Sequence, residues 1–214
     1  MTENLREALG ALPDPEFTMM LPDGWVRMDA DEASRDAVLA AAKARLMAAH
    51  RPDLWASIRA SIQSAFDGLR RNNGVAVMMQ LESDAGTPFI PASVTAAVQT
   101  APGGVGLDEY VSRIIAGGAT PLGEDKRFIR QETREDVTQD GVRLGVTTVR
   151  YLTPIPGSKR KRALLLTAVM PHDPETPADD PLLSAVRFTI DAHVSTLRWV
   201  PTATHLRPTP GVRA

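Results

Sequence analysis

The sequence predicts an α+β fold: a mostly antiparallel β-sheet flanked by α-helices, an α/β/α sandwich. Three observations point there. Several stretches between residues 75 and 171 alternate apolar and polar at period two, the signature of half-buried strands. Those stretches are joined mainly by turn-forming sequences, not by helical crossovers, which makes antiparallel pairing the expected arrangement. Separate stretches carry apolar residues at steps of three and four, so amphipathic helices are available to cover the sheet. The chain has 214 residues, of which 43% are hydrophobic, enough for a core without disulfide staples.

In chain order, residues 1–15 read as an N-terminal arm, with Leu5, Leu9 and Leu12 on one face of a short helix. Phe17, Met19 and Leu21 alternate as a strand, Pro22-Asp23-Gly24 is turn chemistry, and Trp25, Val26 and Met28 continue extended. A helix pair is expected over 31–73. Asp29 or Asp31 caps the first helix, whose buried face would be Val38, Leu39, Ala42, Leu46 and Ala49. Pro52 separates it from the second, with Trp55, Ile58, Ile62, Phe66 and Leu69 inward and Asn72-Asn73-Gly74 as the stop.

Strands follow at Val75–Leu81 and, after the Asp84-Ala85-Gly86 turn, at Val94–Val98. Leu107-Asp108-Glu109-Tyr110-Val111 opens a short helix ended by Gly117-Gly118. Three antiparallel strands come next. The first, around Arg127–Asp136, is polar enough for a sheet edge, and Asp140-Gly141 favours a tight hairpin into the second. The third, Arg162–Pro171, is almost wholly apolar and therefore central. An acidic, proline-rich linker leads to a last helix near 180–198, with Leu183, Val186, Ile190, Val194 and Leu197 on one face. Residues 16–200 thus read as a single α+β domain, and 201–214, with three prolines and no acid, as a flexible C-terminal tail.

This pattern resembles the Mog1/PsbP-like fold, including its bacterial branch of DcrB-type domains. The resemblance rests on Phe17-x-Met19-x-Leu21-Pro22-Asp23-Gly24-Trp25, the Leu107–Val111 helix start, the run Gly141–Tyr151 and the closing Val194–Trp199. It covers about residues 16–200. It implies an antiparallel sheet sandwiched by helices and a binding or accessory role: a nucleotide-exchange cofactor, a photosystem subunit or an adaptor chaperone of secretion effectors. It carries over no catalytic residue. The helix pair at 31–73 is longer than in the minimal family domain.

The residues exclude several chemistries. With 0 Cys there is no disulfide, thiolate metal site or thiol catalysis. His50, His172, His193 and His205 show no metal-binding spacing, so no metal and no cofactor is expected. There is no Gly-x-Ser-x-Gly elbow and no phosphate-binding loop; Gly103-Gly104-Val105-Gly106 reads as a plain loop. The carboxylates Asp29, Asp31, Glu32, Asp36, Asp179 and Asp180 sit where helix starts favour negative charge. Met19, Met20, Met28, Met47, Met78 and Met79 read as core filler.

Charge distribution says more. Formal net charge is −2, which gives no overall attraction to nucleic acid or to anionic membrane. Yet Lys126–Arg162 holds ten basic residues against four acids, and Met1–Asp36 holds nine acids against three bases. Lys159, Arg160, Lys161 and Arg162 crowd one hairpin loop, with Arg150 and Arg143 on the strand before it. These six are the candidate contacts for another protein with an acidic surface. The favoured function is accordingly non-catalytic: a protein-binding adaptor, chaperone or accessory subunit. The alternatives are an enzyme or small-ligand binder with a site assembled from dispersed Arg and Asp side chains, and a self-assembling structural component. No secretory signal is read at the acidic start and no long apolar run occurs, so the expected location is cytoplasmic.

Overall fold

A computed structural model describes residues 14–81, 90–100, 106–139 and 141–200. Its centre is a seven-stranded antiparallel sheet in the order β2-β3-β4-β8-β7-β6-β5. The strands are β2 (Trp25–Asp29), β3 (Gly74–Gln80), β4 (Ser93–Thr100), β5 (Thr120–Leu122), β6 (Asp125–Gln139), β7 (Val142–Pro154) and β8 (Arg162–His172). A separate two-stranded pair joins β1 (Phe17–Thr18) to β9 (Arg198–Trp199). Among the described residues four α-helices complete it: α1 (Glu32–Ala48), α2 (Trp55–Arg71), α3 (Leu107–Ala116) and α4 (Pro181–Ser195).

β8 is the middle strand because its side chains are apolar on both faces, the pattern of a strand covered twice. Leu164, Leu166, Ala168 and Met170 point to the main core, which they share with Val94, Ala96, Val149, Tyr151 and the inner face of α4. Ala163 and Leu165 point the other way, into a smaller cluster with Leu152 and with Leu107, Tyr110, Val111 and Ile114 of α3. The sheet is therefore flanked on both faces, by α4 on one and α3 on the other. α4 is held by Asp180, whose carboxylate accepts from the Leu183 amide at 2.9 Å, and by Pro181 in its first turn. β6 is polar because only the short β5 pairs along its outer side, so most of its length is sheet edge.

Several local expectations are corrected. The Phe17–Leu21 strand ends at Thr18; Met19 and Leu21 instead pack loosely against the core. In β3 the residues turned to the main core are Ala76, Met78 and Gln80, while Val75 is exposed and Val77 lies on the opposite face. A strand with apolar residues on both faces gives no clear phase at period two. α1 and α2 bury only Val38 and Phe66, and neither joins the two sheet clusters. Their remaining apolar residues are half-buried or exposed, because the pair is inserted between edge strand β2 and β3 and packs mainly on itself. Pro52 opens a short 3-10 turn, Pro52–Leu54, ahead of α2. The last helix ends at Ser195, and the following Arg198–Trp199 returns as β9 to pair with β1. Of the six methionines expected in the core only Met78 is fully buried; Met20 and Met47 are exposed. Leu5, Leu9 and Leu12, the Asp84-Ala85-Gly86 turn, Gly103 to Val105, Asp140 and the 201–214 tail with His205 lie outside the described residues.

Candidate functional site

The six basic residues singled out from the sequence divide among four settings. Arg143 lies near the start of β7, where its guanidinium donates to Asp136 at 2.5 Å and stands 3.9 Å from Glu175. Arg150 is mid-strand and exposed on the α3 face of the sheet, in register with Gln131 and Thr167. Arg162 folds inward at the start of β8 and pairs with Asp14. Lys159, Arg160 and Lys161 remain together on the β7–β8 loop. From Arg143 to that loop runs the length of β7, about 36 Å at the ordinary strand rise, so the sequence cluster is not one patch.

The loop itself is tightly built. Ile155 receives the Ser158 amide at 3.2 Å, Ser158 receives the Lys161 amide at 3.1 Å, and the Ile155 amide donates to Arg162 at 3.0 Å. The Ser158 hydroxyl is buried and donates to the Arg162 carbonyl at 3.2 Å. Within this frame Lys159 and Arg160 both take left-handed backbone, with φ of 53° and 58°. Two adjacent side-chain-bearing residues in that region carry strain of about 1–3 kcal/mol each. The conformation turns their side chains outward. It also lets Arg160 reach α3: its guanidinium meets Asp108 at 2.5 Å and its carbonyl accepts from the Leu107 amide at 3.4 Å.

That bridge forms one wall of a groove of about 370 Å³ between α3 and the β6–β7 end of the sheet. Leu107, Val111, Ile129, Leu152 and Pro154 make an apolar lining, and Lys126, Arg127 and Arg160 stand at its rim. Arg127 is clamped by Asp125 at 2.6 Å and caps the end of α4 by donating to the Ser195 and Leu197 carbonyls. The same guanidinium holds the Asp125 carboxyl below the usual carboxylate range. Among the described residues Lys126 at the rim has no ion partner, and neither do Lys159 and Lys161 on the loop that carries Arg160. Sequence reasoning found the loop and missed Lys126 and Arg127, which are some 30 residues away in the chain. The signal available was the basic excess beginning at Lys126.

Titratable groups converge in one other place, where β6 and β7 meet α4. The Tyr151 hydroxyl donates to Asp191 at 2.6 Å, and Arg130 spans Asp191 at 3.0 Å and Glu132 at 2.7 Å. Arg187 holds the other Glu132 oxygen at 2.8 Å. Burial raises the Tyr151 pKa far above a free phenol, and the neighbouring Asp191 carboxylate adds to it. Burial works against the charge of Glu132, but Arg130 and Arg187 outweigh it and keep its pKa low. Each named group already has a partner, so the cluster fastens α4 to the sheet. Among the described residues no group of three or more His, Asp or Glu is placed to hold a metal. No helix among them is long and apolar enough to cross a membrane.

No protein-family model matches the chain, and no curated protein matches it by sequence. Several solved structures are similar to it, three of them as follows. One is a crystal structure from Bacteroides thetaiotaomicron, at TM-score 0.41 and 9% identity, covering 86% of this chain and 45% of that one. The chain thus spans under half the length of that relative. Another is a mutant of protein Mog1, at TM-score 0.40 and 13% identity, covering 60% of this chain and 81% of that one. The third is the Ran-binding protein Mog1p of Saccharomyces cerevisiae, at TM-score 0.34 and 12% identity, covering 86% and 89%. Two of these three structures bear the name Mog1.

Proposed function

We propose that this chain is a non-catalytic protein-binding module, an adaptor, chaperone or accessory subunit working in the cytoplasm. Its contact is the groove beside α3, and the bound element is a short acidic segment of a partner carrying an apolar side chain. The observation behind this reading is the combination of an apolar lining with a basic rim of Lys126, Arg127 and Arg160, next to the loop that carries Lys159 and Lys161. Apolar burial supplies affinity in such a groove, while the cations set which segment enters and how fast. The strained pair Lys159 and Arg160 fits the same reading, since strain is retained where a presented geometry is used.

An array of short peptides varying acidic and apolar content tests it. The expected result is retention of acidic–apolar peptides, binding that weakens with salt, and a tenfold or greater loss in the Lys126→Glu, Lys159→Glu, Lys161→Glu triple variant. Equal binding by wild type and variant, or preference for basic peptides, overturns the assignment of the groove.

A further inference from the structure

The outward side of α4 has no charged residue. Pro181, Leu182, Ala185, Phe188 and Ala192 are exposed there, at helical steps that align them in one stripe. The inner side of the same helix, Leu183, Val186, Ile190 and Val194, is buried in the main core. A helix apolar on both sides belongs between two layers, and here only one layer is present. The exposure is extreme. Phe188 at 75%, Leu182 at 68% and Met20 at 67% are the three most exposed large hydrophobics among the described residues. Met20 is fixed against the end of the same helix: its amide donates to the Thr196 hydroxyl at 2.9 Å, and its carbonyl accepts from His193 Nδ1 at 3.1 Å.

We infer that this face is covered by a second copy of the chain, through a two-fold antiparallel contact of α4 with α4. Two features favour a copy over a foreign partner. The helix charges Arg187 and Asp191 are turned aside and engaged with Glu132, Arg130 and Tyr151, so two identical faces meet without repulsion and with nothing to select an oppositely charged surface. The face is also its own complement. Around a two-fold axis at Ala185, Phe188 of each copy falls level with Leu182 of the other, three residues to either side. Leu182 rims a cavity of about 300 Å³ of mixed lining, Pro91, Met170 and Val186 together with His172, Asp173 and Asp180, so each Phe188 ring meets the Leu182 side chain beside a partly polar recess. Ala185 at the axis allows the helices to approach to about 8 Å.

A helix of this length spans about 22 Å, so the contact is small and the dimer dissociates in the micromolar range. It leaves the α3 groove free, on the opposite face of the sheet.

Sedimentation of the full chain from 1 to 200 μM, about the range such a contact requires, reads this directly. The weight-average mass rises from 23.1 kDa toward twice that value in wild type. Phe188→Asp and Leu182→Asp each hold it at the monomer value, with unchanged circular dichroism. Since the chain has 0 Cys, a single introduced cysteine reports position. Ala185→Cys oxidises to a covalent dimer, whereas Ser112→Cys, exposed on α3, does not. A wild type that stays monomeric throughout, a dimer indifferent to both aspartate variants, or equal cross-linking at the two cysteine positions overturns the proposal.

Discussion

Glu132 shows how one side chain couples folding to pH. It sits on β6 facing α4, and its two oxygens take Arg130 and Arg187, one from the sheet and one from the helix. Because its pKa is lower folded than unfolded, it adds stability above the unfolded carboxylate pKa of about 4.3, and that stability is lost as pH falls through the folded value. Glu132→Gln is expected to cost about 1–2 kcal/mol at pH 7 in urea unfolding. The gap between variant and wild type closes as pH is lowered below about 4. A gap that stays constant from pH 7 to pH 3 would mean that Glu132 acts through shape and not charge. None of this cluster could be read from the sequence. Arg130, Glu132, Tyr151, Arg187 and Asp191 come from three separate elements, and only the β6–β7 register and the rotation of α4 bring them together.

At the scale of elements, legibility follows how many faces an element buries. α4 and β4 each have one clear core face, and Leu183, Val186, Ile190, Val94 and Ala96 lie where their spacing puts them. β3 carries apolar residues on both faces, so alternation could not choose between Ala76-Met78 and Val75-Val77. β5 and β9, of three and two residues, carry too little sequence for any period to emerge. The β7–β8 loop was found by its charge, but its left-handed Lys159 and Arg160 were not, since neither residue is a usual carrier of positive φ. That geometry gives a test of what the loop is for. Lys159→Gly relieves the strained position, so stability is expected to rise by about 0.5–1 kcal/mol in urea unfolding, while acidic-peptide binding weakens. A variant less stable than wild type would show that the Lys159 side chain packs, and that the backbone conformation is not held for presentation.

For the whole molecule, the two-sided sheet was legible because β8 is apolar at nearly every position and two amphipathic helices are available to cover it. The separateness of the helix pair was not legible: α1 and α2 have the steps of core helices, yet bury one residue each. Their contacts with the sheet are few. The Val98 amide donates to Asn73 at 3.0 Å, and Gly74 lies so close to Leu69 that a Cβ there would meet its side chain at 2.2 Å. β2 and β3 are already neighbours in register, Asp29 opposite Ala76, so the pair is an insertion into a hairpin that closes without it. Replacing residues 31–72 by a short Asn-Gly turn is therefore expected to leave the seven-stranded sheet and both clusters intact. Stability falls because β3 loses its contacts with α2, but thermal unfolding stays a single cooperative transition and backbone amides of β4, β7 and β8 keep their hydrogen-exchange protection. Loss of that protection, or a non-cooperative melt, would make the helix pair a part of the core that the sheet requires, and not an addition to its edge.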